Sequence, residues 1–167
     1  MQIDMTDETP AEPKVIKADK SLQAKIGSGP LDTKTVEKCQ AVMDNNNVDF
    51  TPMAMEYLGK LAEAIQTAKD PNVNMKEAVG NMTAPVMQLK ANAAIFKYNL
   101  VGNLANVMLS FLEGIKELDK DAIAIVEAHH KTLTAIITKK MRGDGGAFGQ
   151  QMLEELKSAC KRYFART

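Results

Sequence analysis

Beyond residue 30, apolar residues recur at helical spacing over most of the chain, and no alternating stretch of useful strand length interrupts them. Ala54, Leu58, Leu61, Ile65 and Ala68 form one stripe. Val86, Leu89, Ala93 and Phe96 form a second, and Leu100, Leu104, Val107, Phe111, Ile115 and Leu118 a third. Val126, Leu133 and Ile137 mark another apolar face, and Met152, Leu156, Ala159 and Tyr163 the last.

Local signals place the helix ends. Asp32 is a good N-cap, with Leu31 and Val36 placed for a hydrophobic staple across it. That first helix runs to about Asp44, where Asn45-Asn46-Asn47 stops it. Thr51-Pro52 supplies an N-cap and a proline at the first helical position, and Asp70-Pro71 ends the second helix. Asn74 and Glu77 form a capping box for a third helix reaching about Lys97. Pro85 lies inside it and removes one backbone hydrogen bond, which predicts a kink. A fourth helix starts at Tyr98-Asn99, and Asp119 caps a fifth that runs to about Arg142. Gly143-Asp144-Gly145-Gly146 breaks the chain before a last helix from about Ala147 to Phe164.

Single apolar stripes joined by short loops are buried most economically in an antiparallel bundle. The expected fold is all-α: an antiparallel four-helix bundle with extra helical segments at both ends. Residues 1–30 hold three of the six prolines, many charges and little periodicity. They predict a flexible or draped arm, which Val15, Ile16, Leu22 and Ile26 could pin, before a turn at Gly27-Ser28-Gly29-Pro30. Residues 31–167 form the bundle domain.

Composition narrows the functions. Lys plus Arg equals Asp plus Glu, so net charge is zero. That argues against a nucleic-acid binder working through bulk positive charge. Cys39 and Cys160 are isolated, which gives neither a disulfide framework nor zinc-ligand spacing, and they are expected as reduced, half-buried thiols. No stretch approaches the roughly 18 apolar residues that span a bilayer. The acidic N-terminus lacks a signal-peptide core. The expected location is the cytoplasm, with no membrane partner.

The run from Met87 to Val101 resembles the phosphorylation-site helix of a histidine phosphotransfer domain, as found in a bacterial subgroup. Such domains carry His-x-x-Lys-Gly, followed in that subgroup by small residues, a Phe-x-Tyr pair and Leu-Val. Leu89-Lys90, Ala93-Ala94, Phe96, Tyr98 and Leu100-Val101 fall in register. Met87 stands where the histidine would be, and Ala91 where the glycine would be. Ala128 to Ile137 and the Gly-Asp-Gly-Gly loop are also similar to late segments of that subgroup, as is Phe50 to Ile65 to its early helix. The resemblance covers residues 31–165.

The resemblance implies two-component phosphorelay signalling, with a response-regulator receiver domain or a histidine kinase as partner. The lysine one turn on neutralises phosphate charge, and the small residue allows close approach. Met87 cannot accept phosphate, so the degenerate site implies a non-catalytic adaptor, not an enzyme, with no cofactor or metal. Met87, Lys90, Ala91 and Ala94 share one face by their i, i+3, i+4, i+7 spacing and are the expected partner-binding residues. The bland alternative is that this face packs under the arm or another helix.

His129 and His130 are the only histidines. By the helical wheel, His129 flanks the apolar face beside Ile125 and Ile136, and His130 flanks its other edge beside Ile123 and Ile137. They are expected as boundary histidines with polar tips reaching partners or water. Either is the alternative phosphoacceptor, which would make the chain a working carrier. A third expectation is a structural helical protein that forms a homodimer through Met-rich faces. The glycine loop lacks both a preceding strand and a Gly-Lys-Ser/Thr ending, so a tight turn is expected there, not a nucleotide site.

Overall fold

The structure, a computed structural model, describes residues 20–27, 29–30, 32–45 and 48–166. The chain divides into two compact units, Met1–Ala41 and Val42–Thr167. Helix α1 (Ser21–Ile26) lies in the first unit, and α2 (Thr33–Asp44) begins there. Asp32 caps α2 as expected. Its carboxylate accepts the Lys34 N–H at 3.1 Å and the Thr35 hydroxyl at 2.8 Å. No residue of α2 is buried, and its apolar Val36 and Val42 are exposed. Leu31, Val15 and Ile16 and the side chains of Leu22 and Ile26 lie outside the described residues. The staple and the pinning of the arm lie there with them.

The second unit contains α3 (Thr51–Thr67), α4 (Met75–Ala93), α5 (Asn99–Gly114), α6 (Lys120–Thr138) and α7 (Gly146–Phe164). Helices α3, α4, α5 and α6 form a closed ring of neighbours, α3 meeting α4 and α6, and α5 meeting α4 and α6. Short connections make consecutive helices antiparallel. The result is a four-helix bundle, with α7 laid against α5 and α6. Its core includes Leu58, Leu61, Val86, Leu89, Leu104, Met108, Val126 and Leu133, each at most 1% exposed. Each such large side chain contributes about 1.5–3 kcal/mol by leaving water.

Three local expectations need correction. Thr51 is the first helical residue of α3, not its cap. Phe50 holds the N-cap position, and Asp49 accepts the Thr51 N–H at 2.9 Å, so the capping carboxylate comes from two residues upstream. The regular part of α4 stops at Ala93, and α6 stops at Thr138, four residues before the expected Arg142. Both ends close in the same way. Tyr98 N–H donates to the Ala93 carbonyl at 2.8 Å and Lys97 N–H to that of Ala94 at 3.1 Å. Met141 N–H donates to Ile136 and Lys140 N–H to Ile137, each at 3.0 Å. These are Schellman motifs with a left-handed residue after the helix. That residue is a lysine each time, Lys97 at φ 62° and Lys140 at φ 50°. Sequence signals look for glycine there and pass over lysine.

The third correction concerns α7. Its buried face is Gly149, Leu153, Leu156, Cys160 and Tyr163. Met152 and Ala159 are only partly buried. The burial pattern of α5 is also broader than one stripe. Val101, Ala105, Met108, Leu109 and Leu112 are buried as well, because α5 packs against α4, α6 and α7.

Candidate functional site

Helix α4 carries the candidate face. Asn74 caps it, its side-chain oxygen accepting the Glu77 N–H at 3.2 Å. The helix continues through Pro85, which is buried. Ala78, Met82, Val86, Leu89 and Ala93 point into the bundle. That fixes the rotation of the helix and leaves Met87, Lys90, Ala91 and Ala94 exposed, Met87 to 56%. The four residues singled out from spacing therefore form one open face. Lys90 reaches across to α5, where its ammonium donates to the Asn106 side-chain oxygen at 2.6 Å. Asn92 bonds back to the Gln88 carbonyl at 2.9 Å. Ala91 and Ala94 project only methyl groups, so the surface beside Met87 is flat.

The other residues that carried the resemblance are structural. Phe96 stacks on Phe50 with ring centroids 4.7 Å apart, and Tyr98 tilts against Phe50 at 5.4 Å. The Phe-x-Tyr pair thus anchors the α4–α5 reversal to the start of α3. The Tyr98 hydroxyl is buried without a hydrogen-bond partner among the described residues.

This end of the bundle is tied further through the glycine loop. Gly143 N–H donates to the Lys97 carbonyl at 2.6 Å, and the Gly143 carbonyl accepts the Leu100 N–H at 2.9 Å, satisfying an orphan donor of α5. Gly145 has φ 74°, and a Cβ there would lie 2.6 Å from Leu100 Cδ2. The loop is a tight turn seated on Leu100. Asp144 accepts the Gly146 N–H at 2.9 Å and starts α7. Lys140 pairs with Asp49 at 2.9 Å, and Lys97 donates to the Asp44 carbonyl at 3.1 Å. The Thr51 N–H and the Lys140 ammonium hold the Asp49 carboxyl well below the usual carboxylate range.

The histidines divide. His129 is fully buried, not a boundary residue. Its Nδ1–H donates to the Ile125 carbonyl at 2.9 Å, which leaves Nε2 bare, buried and without a partner among the described residues. Burial pushes its pKa down, so the ring is held neutral. The helical wheel misplaced it because α6 touches three helices, α3, α5 and α7. His130 is half-buried and donates from Nε2 to the Leu58 carbonyl of α3 at 3.1 Å. Neither imidazole projects freely as a phosphoacceptor must.

The cysteines are not half-buried either. Cys39 is exposed, while Cys160 is buried and its thiol is pushed up to about 11 by burial. Among the described residues, no three His, Cys, Asp or Glu side chains gather as metal ligands. None of the described helices is long and apolar enough to cross a membrane.

Sequence reasoning missed the surroundings of Lys90. Asn99, Asn103 and Asn106 recur at i, i+4 and i+7, which was visible, and line a groove with Lys90 and with Lys157 of α7. That α7 closes one side of it was not visible. In comparisons with known proteins, no family model, no curated protein and no solved structure matches this chain.

Proposed function

We propose that the protein is a non-catalytic adaptor of two-component signalling. In this reading it has a histidine phosphotransfer-like bundle and docks a response-regulator receiver domain or a histidine kinase without passing phosphate. The observation that carries the reading is the open face of α4, with exposed Met87, Lys90, Ala91 and Ala94. It has the composition of a docking surface: an adaptable thioether, flanking methyl groups that permit close approach, and one ammonium. Such partners place its work in the cytoplasm.

The alternative, a working carrier, needs an accessible imidazole. His129 is fully buried and His130 is bonded to Leu58, which favours the adaptor.

The test mixes the full chain with receiver domains, phosphorylated and unphosphorylated, and scores both binding and acid-labile label. Met87→Asp and Ala91→Arg change exposed positions, so fold and Tm are retained. Each is expected to weaken receiver binding by about tenfold or more, the loss of roughly 1.4 kcal/mol at a contact centre. Label that disappears in His130→Ala would overturn the adaptor in favour of the carrier. A homodimer dissolved by Met87→Asp, with no receiver binding, would make this face a self-association surface instead.

A further inference from the structure

Beside the Met87 face lies a groove of about 590 Å³ between α4, α5 and α7, within the size range of ligand clefts. Asn99, Asn103 and Asn106 line it from α5, Lys90 flanks it on α4 and Lys157 on α7. Buried Leu153 supplies an apolar wall.

The composition of this groove runs against the needs of the helix that builds it. Asparagine is a poor helix former, because its side chain competes for backbone hydrogen bonds. Three of them share one face of α5; Asn99 opens the helix, where asparagine is well tolerated, but at Asn103 and Asn106 in its interior Glu, Gln or Lys would solvate the helix at less cost. Asn106 accepts from Lys90. No hydrogen bond engages the carboxamide of Asn99 or Asn103 among the described residues.

Gly102 also lines the groove, inside α5. Glycine within a helix is destabilising relative to alanine. A Cβ at Gly102 would meet only the Ala93 Cβ, at 3.8 Å, an ordinary contact. The missing side chain therefore leaves backbone open to an occupant of the groove.

Charge narrows the occupant. Among the described residues, two ammonium groups line the groove and no carboxylate does. Lys157 also meets Glu154 at 2.9 Å, but in an exposed pair that exchanges readily.

We propose that this groove binds an extended peptide segment carrying acidic side chains. A carboxamide offers donors and an acceptor together, which matches the N–H and C=O of a peptide bond. An extended peptide has all its backbone groups free for such pairing. The seven helical steps from Asn99 to Asn106 span about 10 Å, the length of roughly three extended residues. The carboxamides hold the backbone, Gly102 allows it to approach α5, and Lys90 and Lys157 take the carboxylates. The groove shares Lys90 and Ala94 with the docking face, but Asn103, Gly102 and Lys157 lie outside that face, so the inference does not rest on the adaptor reading.

The test is fluorescence anisotropy of a labelled, capped Glu-Ala repeat hexapeptide with the full chain. The same peptide with Gln for Glu and inorganic phosphate as competitor serve as controls. The Glu peptide is expected to bind, and the Gln peptide about tenfold more weakly, as expected when charge-assisted bonds are lost. Asn103→Ala and Lys157→Gln should each weaken binding by about fivefold, the scale of one hydrogen bond. Gly102→Ala is the sharpest variant. It should raise Tm by improving the helix and still weaken peptide binding, a combination that a structural role for Gly102 cannot produce. Met87→Ala, which brings no charge beside Lys90, should leave peptide binding unchanged while weakening receiver docking, which separates the two sites. No binding of the Glu peptide, equal binding by Gly102→Ala, or complete displacement by phosphate would each overturn the proposal.

Discussion

The lysine at the end of α4 offers a clean test of how the bundle is closed. Lys97 sits at φ 62°, with its N–H on the Ala94 carbonyl at 3.1 Å and the next N–H on Ala93 at 2.8 Å. Its own carbonyl receives Gly143 N–H, so the strained conformation holds the α4–α5 turn against the glycine loop. A left-handed residue with a Cβ costs about 1–2 kcal/mol. Glycine avoids that cost but loses about 0.4–1 kcal/mol through greater unfolded-chain entropy. Lys97→Gly should therefore be more stable than Lys97→Ala by about 1 kcal/mol. Both variants lose the same side chain, including its exposed 3.8 Å ion pair with Asp44, so that term cancels in the comparison. Urea unfolding followed by helical circular dichroism gives the difference. The m-value should be unchanged, and Tm should differ by about 4 °C. If Lys97→Ala proved as stable as Lys97→Gly, the left-handed turn would not be under strain, and this account of the helix end would fail.

Two further outcomes follow from burial. In the unfolded chain His129 titrates near 6.5, and burial lowers that in the folded protein. As pH falls the unfolded state takes up the proton first. Stability is present above about 6.5 and is lost below it, by at most about 1.4 kcal/mol per pH unit. His129→Leu should remove this slope while keeping the fold, since it also removes the unpartnered Nε2; an unchanged pH profile in guanidinium unfolding would sink the assignment. For the cysteines, iodoacetamide at neutral pH should label exposed Cys39 and spare Cys160, whose thiol is pushed up to about 11. Equal labelling rates in mass spectrometry would show that α7 opens readily from α5 and α6.

Helix existence and most helix starts were legible because their causes are local. Asp32, Asn74 and Asp119 each accept a backbone N–H two or three residues on, as a cap must. The exposed face of α4 was legible for the same reason. Once Val86, Leu89 and Ala93 are core, the helical period dictates that Met87, Lys90, Ala91 and Ala94 are not. The ends of α4 and α6 were not legible, because a lysine in a glycine position leaves no local signal.

Other decisions belonged to tertiary contacts. Periodicity placed Phe96 on an apolar stripe, but that it and Tyr98 pack on Phe50, more than forty residues away in sequence, was decided by tertiary contacts. His129 looked like a boundary residue on the wheel of its own helix, and its burial depends on how many helices α6 meets. The groove between α4, α5 and α7 likewise exists only because α7 lies across the bundle and brings Lys157 towards the asparagines of α5. Periodicity and caps are properties of one segment, so the sequence by itself determined the helices and their exposed faces. Burial and clefts arise where segments meet, and only the packing decided those.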